Sequence, residues 1–364
     1  MTSRFVPGLE LSRLFYEDAV RPIVAEAFPR LVYSAARIGS GSEVLGYDTE
    51  RSADHEWGPR LELFLADDDL PVVSDRIRQL LSERLPKEFL GWSTHFGPEN
   101  AAIRRMEPTD GPVRHRVAVG SLSAWCDDRL GFDATGGITT FDWLATSGQR
   151  LAETVGGAVF HDGLAQIEPL RKSLSWFPQD VWRFVLASQW QRVAQEEAFP
   201  GRCAEVGDDL GSRIVAARLV RELMRLCLLM AQRYVPYGKW LGSAFADLPC
   251  AADLESALRG AVEAPMWEQR EANLCVGYEL IAQQHNALRL TAPLDVSTRG
   301  YYARPFQVID GGRFAEVLHD SLGDARLAAL PLVGGVDQFV DSTDVMSDPP
   351  RARAAASAVL GADL

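Results

Sequence analysis

The chain has 364 residues, 47% of them hydrophobic and 24% charged, with a formal net charge of −13. That length suggests two domains, each with enough apolar mass for a real core. An acidic chain without a polybasic run disfavours nucleic acid as a partner, and no apolar stretch approaches the ~20 residues of a membrane span.

Residues 8 to 27, GLELSRLFYEDAVRPIVAEA, carry apolar side chains at helical spacing. LVYSAARIG (31 to 39) reads as a strand ending in glycine, and residues 59 to 66 as a second strand. Residues 70 to 86 predict an amphipathic helix bounded by prolines. EFLGWSTHF and HRVAVGSL alternate as short strands do. WLATSGQRLAETVG reads as helix and GGAVFHDG as a strand with a turn after it. From about residue 166 the long apolar stripes have a 3.6-residue period, the mark of a helical bundle. The expected fold is therefore α+β: a small mixed-sheet domain over residues 1–165, then a helical bundle domain over 166–364. DSTDVMSDPPRARAAASAVL reads as a loop and a last helix.

Five cysteines (Cys126, Cys203, Cys227, Cys250 and Cys275) form no CxxC pair and are odd in number. With no apolar signal core at the N-terminus, that fits reduced thiols in a cytoplasm. The six histidines make no ligand pair with those cysteines, so zinc is not expected. Three lysines, Lys87, Lys172 and Lys239, stand against 34 arginines.

The stretch GSGSEVLGYDTERSADHEW carries the most chemistry. Gly39, Gly41 and Gly46 let the backbone bend and offer N–H groups to an anion, and Ser40 and Ser42 add hydroxyls. Asp54 and Glu56 are two apart; if they open the next strand, both point to one face. Two hard-oxygen carboxylates there suit Mg²⁺, which bridges nucleotide phosphates.

The Gly41-Ser42 turn, Gly46 and the pair Asp54 and Glu56 resemble the signature of the polymerase-β-like nucleotidyltransferase superfamily. GSEVLGYDTERSADHEWGPRLELFL is similar to a bacterial branch of it. FHDGL, PQDVW and RYVPYGKWLGSAF extend the likeness over most of the chain, in a layout similar to the antibiotic nucleotidyltransferases. The resemblance implies a Mg²⁺-dependent enzyme moving a nucleoside monophosphate from an NTP, with ATP the first choice, to a hydroxyl of a small-molecule or protein acceptor. It assigns Asp54 and Glu56 to the metal, and Gly41, Ser42 and Ser40 to phosphate. Lys239, between Tyr237 and Trp240, takes the bundle cation's role on the triphosphate.

One part of the family pattern is missing. The third acid belongs in the run Val113 to Val119, which holds none. His115 is the candidate base there, Glu62 a candidate on the same strand face, and Asp162 a candidate at the site's edge. Each also has a structural reading: a strand histidine, a solvent-facing strand residue, an Asx cap. The missing acid keeps two alternatives open. One is a nucleotide-binding or regulatory protein without turnover. The other, weaker, is a toxin-like enzyme acting on tRNA or protein.

Overall fold

A computed structural model describes residues 5–101 and 103–361. The fold is α+β, and the chain divides into two compact units. One holds residues 1–138 and 150–175, the other 139–149 and 176–364. Among the described residues no helix is long and apolar enough to cross a membrane.

Among the described residues the first unit has six strands: β1 Tyr33–Arg37, β2 Arg60–Leu65, β3 Glu88–Phe89, β4 Trp92–Ser93, β5 Arg116–Gly120 and β6 Ala158–Asp162. Four form the main sheet in the order β5-β2-β1-β6, and β3 and β4 form a separate hairpin. β1 runs antiparallel to β2 and β6, while β2 and β5 are parallel. The register sets Ala36 against Glu62 and Arg60 against Arg116.

The two faces of β2 do different work. Leu61, Leu63 and Leu65 enter a core with Phe15, Val20, Ile77, Leu81 and Val117. Strand alternation turns Arg60, Glu62 and Phe64 the other way. The helix Leu70–Arg84 buries Ile77, Leu80 and Leu81. It stops at Leu85, whose extended backbone is what a residue before proline prefers. The helical run from residue 8 is interrupted by one wide π turn at Tyr16–Val20, just before Pro22, which has no N–H to give back.

The helix Leu122–Leu130 has a clear local cause that the alternating run HRVAVGSL conceals. Ser121 accepts the Ala124 N–H at its start, and Gly131 closes it at φ 83°.

Among the described residues the second unit is helical, apart from the short hairpin β7 Arg299–Gly300 and β8 Gln307–Val308. Its long helices are Gln179–Glu196, Asp209–Met230 and Trp267–Ala287. The first of these buries Trp182, Phe184, Leu186 and Trp190. Trp190 stacks on Phe314 with centroids 4.4 Å apart, and its Nε1–H donates to His285 Nδ1 at 3.1 Å. Phe199, Pro200 and Gly201 open the helix Phe199–Glu205, because proline is tolerated in a first turn. The last helix is Pro349–Leu360, capped by Asp348.

Candidate functional site

The site begins where β1 ends. After Arg37 the chain turns through Gly39 at φ 84° and Gly41 at φ 148°, then makes a short 3₁₀ turn, Ser42–Leu45. Positive φ alone favours glycine at Gly41. Space does too: a Cβ there would lie 2.5 Å from Arg60 Nη2 and 2.7 Å from Arg37 Nη2.

Those two guanidiniums belong to a buried ion network on the sheet face opposite the apolar core. Glu43 Oε1 accepts from Arg37 Nε at 2.8 Å and from Arg60 at 2.9 and 2.6 Å. Glu62 takes Arg37 Nη1 at 3.0 Å and the Ile38 N–H at 3.1 Å. Arg37 and Glu43 are each 2% exposed, so these charges are paired because neither could be buried alone. Burial and the neighbouring Arg37 pull the Arg60 pKa down to about 10. Glu62 is thus a partner of Arg37, not a solvent-facing acid.

Asp54 and Glu56 do not open the strand, which is a correction to the alternation expected from sequence. Thr49 starts a 3₁₀ turn, Glu50–Asp54, through a reciprocal cap with Ser52. Glu56 then adopts φ 48° and Gly58 φ 129°, and β2 starts only at Arg60. The two carboxylates have separate surroundings. Asp54 is 70% exposed and meets His55 Nδ1 at 2.6 Å. Glu56 Oε1 accepts the Arg104 N–H at 2.7 Å, and its Oε2 is held by Arg116. Burial pushes the Glu56 carboxyl up, but the Arg104 amide and the Arg116 guanidinium hold it below the usual range.

Among the described residues no three His, Cys, Asp or Glu side chains converge as a metal site. With both Glu56 oxygens taken, the donor set does not fit the two-carboxylate magnesium site that the resemblance implies. Where the family pattern has its third acid, β5 carries Arg116, in register with Arg60.

His115 precedes β5 and both its ring nitrogens are engaged. Nδ1 accepts the Val117 N–H at 3.2 Å, and Nε2–H donates to the Arg78 carbonyl at 3.1 Å. Burial holds its pKa below the ordinary histidine value. This neutral ring braces β5 against the helix Leu70–Arg84. Asp162 likewise works as a cap. It accepts the Ser34 hydroxyl at 2.7 Å and the N–H groups of Gln166, Ile167 and Glu168 at 3.2, 3.4 and 3.1 Å. That fastens the end of β6 to the start of the helix Ile167–Ser173.

Ser40 is exposed and its hydroxyl lies 3.4 Å from Arg129 Nη1. Ser42 opens the 3₁₀ turn that follows Gly41. Lys239 belongs to the helical unit, exposed on the helix Gly238–Ala246, with its ammonium 4.6 Å from the Trp240 ring centre.

Sequence reasoning missed Arg116 and the Arg37–Glu43–Arg60 network. A hint was present in RLELFL, where charged Arg60 and Glu62 alternate with leucines.

The turn and the acidic segment nevertheless share one end of the sheet. They lie in the single connection between antiparallel neighbours, from the end of β1 to the start of β2. Parallel pairing brings Arg116 to that end as well. Gly39 N–H donates to the Glu153 carbonyl at 2.8 Å and Gly46 N–H to the Glu43 carbonyl at 3.1 Å, so the arrangement offers amides between them and the exposed Asp54 carboxylate, while the Arg116 guanidinium is held by Glu56.

Residues 143–241, 99 of the 364, match the family model of a domain of unknown function, DUF4037. No curated protein and no solved structure matches the chain. The similarity to that domain takes in Asp162 and Lys239 and leaves out the Gly41 turn, Asp54 and Glu56.

Proposed function

We propose that the protein is a nucleotidyltransferase, using an NTP to nucleotidylate a hydroxyl of a small-molecule or protein acceptor. The acceptor oxygen bonds to the α-phosphorus, the bond to the bridging oxygen breaks, pyrophosphate leaves, and the acceptor proton passes to solvent. The observation carrying this reading is the β1–β2 connection, which brings the glycine–serine turn and Asp54 to one end of the sheet. N–H groups of such a turn suit phosphate oxygens.

A second reading, nucleotide binding without turnover, is favoured by Arg116 holding Glu56 and by both His115 nitrogens being occupied.

Titration calorimetry with the four NTPs, with Mg²⁺ and with EDTA, tests both. The expected result is binding of at least one nucleotide with Mg²⁺ and with EDTA alike; binding that needs Mg²⁺ and weakens about tenfold or more in Asp54→Asn would return the metal to the two carboxylates. Pyrophosphate release in an acceptor screen then supports transfer. Binding with no release across that screen leaves the second reading, and binding of none sinks both.

A further inference from the structure

The helical unit holds a cavity of about 330 Å³ that has no part in the nucleotide reading. Small-molecule sites run from roughly 300 to 1,000 Å³. The positive charge in this one comes from a single helix, Asp209–Met230. Arg218, Arg221 and Arg225 stand at i, i+3 and i+7, so they share a face, and all three line the cavity.

The three arginines are held differently. Arg225 is buried and fixed: its Nη2 donates to the Asp337 carbonyl at 3.0 Å, and Asp337 Oδ2 also accepts the Gly148 N–H at 3.2 Å. Arg218 gives a two-pronged contact to Glu196 at 3.1 and 2.7 Å. The shortest contact of Arg221 is to Asp341 at 2.7 Å, and the Asp341 side chain is 79% exposed. A carboxylate so open to water contributes little and exchanges readily. Asp341 occupies the Arg221 fork as a ligand's anion would.

We propose that this cavity binds a phosphate monoester with a ring-sized body. Its phosphate replaces Asp341 on Arg221 and reaches Arg218, while the body lies against Val235, Leu241 and Met346. Phosphate suits this wall better than carboxylate. A carboxylate offers two oxygens, whereas a phosphate monoester offers three in a tetrahedral array and, as a dianion, more charge to two guanidinium forks at once. The carboxylates paired with these guanidiniums are Glu196, Glu222, Asp337 and Asp341, and Asp341 is by far the most exposed of them, so it is the one a phosphate displaces. This inference is independent of the observation that carries the nucleotide reading, because the Gly41 turn and Asp54 lie in the other unit.

Titration calorimetry of the full chain with phenyl phosphate and with inorganic phosphate tests it. Phenyl phosphate is expected to bind more tightly than inorganic phosphate, because its ring fills the cavity. Arg221→Gln should weaken it about tenfold or more. Asp341→Ala should tighten it several-fold by removing the competing anion, an outcome that mere structural damage would not produce. Asp54→Asn should leave it unchanged. The proposal is overturned if phenyl phosphate does not bind at about 10 mM. It is also overturned if Arg221→Gln binds as the wild type does, if Asp341→Ala binds no better, or if Asp54→Asn abolishes binding.

Discussion

Whether a histidine is a base or a brace depends on what its two nitrogens already hold. His115 has a backbone donor on Nδ1 and a carbonyl acceptor on Nε2, so neither nitrogen is available to an acceptor hydroxyl. His115→Ala removes both partners and leaves the Val117 N–H and the Arg78 carbonyl to find water. The expected loss is about 1–3 kcal/mol of stability, read from urea unfolding, with nucleotide binding kept. Lost binding at unchanged stability would return His115 to the site. The same logic separates Asp54 from Glu56. Their spacing is visible in sequence, but their surroundings are not, because Arg116 reaches Glu56 from 60 residues further along.

The connection between β1 and β2 combines what sequence reveals with what it conceals. Its glycines, its acids and both flanking strands are local signals, so the turn and the strands are legible. The Thr49–Ser52 cap is not legible, because Ser52 stands where the usual capping pattern has Glu or Gln, and it makes the short turn that keeps Asp54 off the strand. The pairing of Arg37, Glu43, Arg60 and Glu62 is not legible, because it spans sheet neighbours and leaves no period. In the helical half the stripes announce each long helix, yet nothing local shows that Arg221 meets Asp341, 120 residues away. Gly41 ties the local and the long-range parts together. Gly41→Ala strains a backbone at φ 148° and drives a methyl against Arg60, Glu43 and Arg37. The expected cost is about 2–4 kcal/mol, since both positive φ and a disturbed buried ion network contribute. A urea midpoint equal to the wild type's would show that the network has room to yield.

At the scale of the whole molecule, a net charge of −13 speaks to solubility and says little about which protons govern folding. Two buried groups of the helical unit do. Burial lowers His285 from 6.5 to about 4, while Glu197 is raised from 4.5 to about 7, chiefly by burial, against the N–H groups of Ile309, Asp310 and Gly311. Their signs oppose. As pH falls below 6.5 the unfolded chain protonates His285's imidazole before the folded one does, so stability drops. As pH falls from about 7 towards 4.5 the folded chain protonates Glu197 first, so stability rises. Each effect is worth about 3 kcal/mol across its full window, and in the wild type they largely cancel. Glu197→Gln removes the rising contribution. Its stability should therefore fall more steeply than the wild type's between about pH 7 and about pH 5, in urea unfolding followed by circular dichroism. His285→Asn should show the reverse, gaining stability over the same range. Parallel curves for the wild type and Glu197→Gln would mean that Glu197 keeps its charge in the fold, held by its three backbone donors.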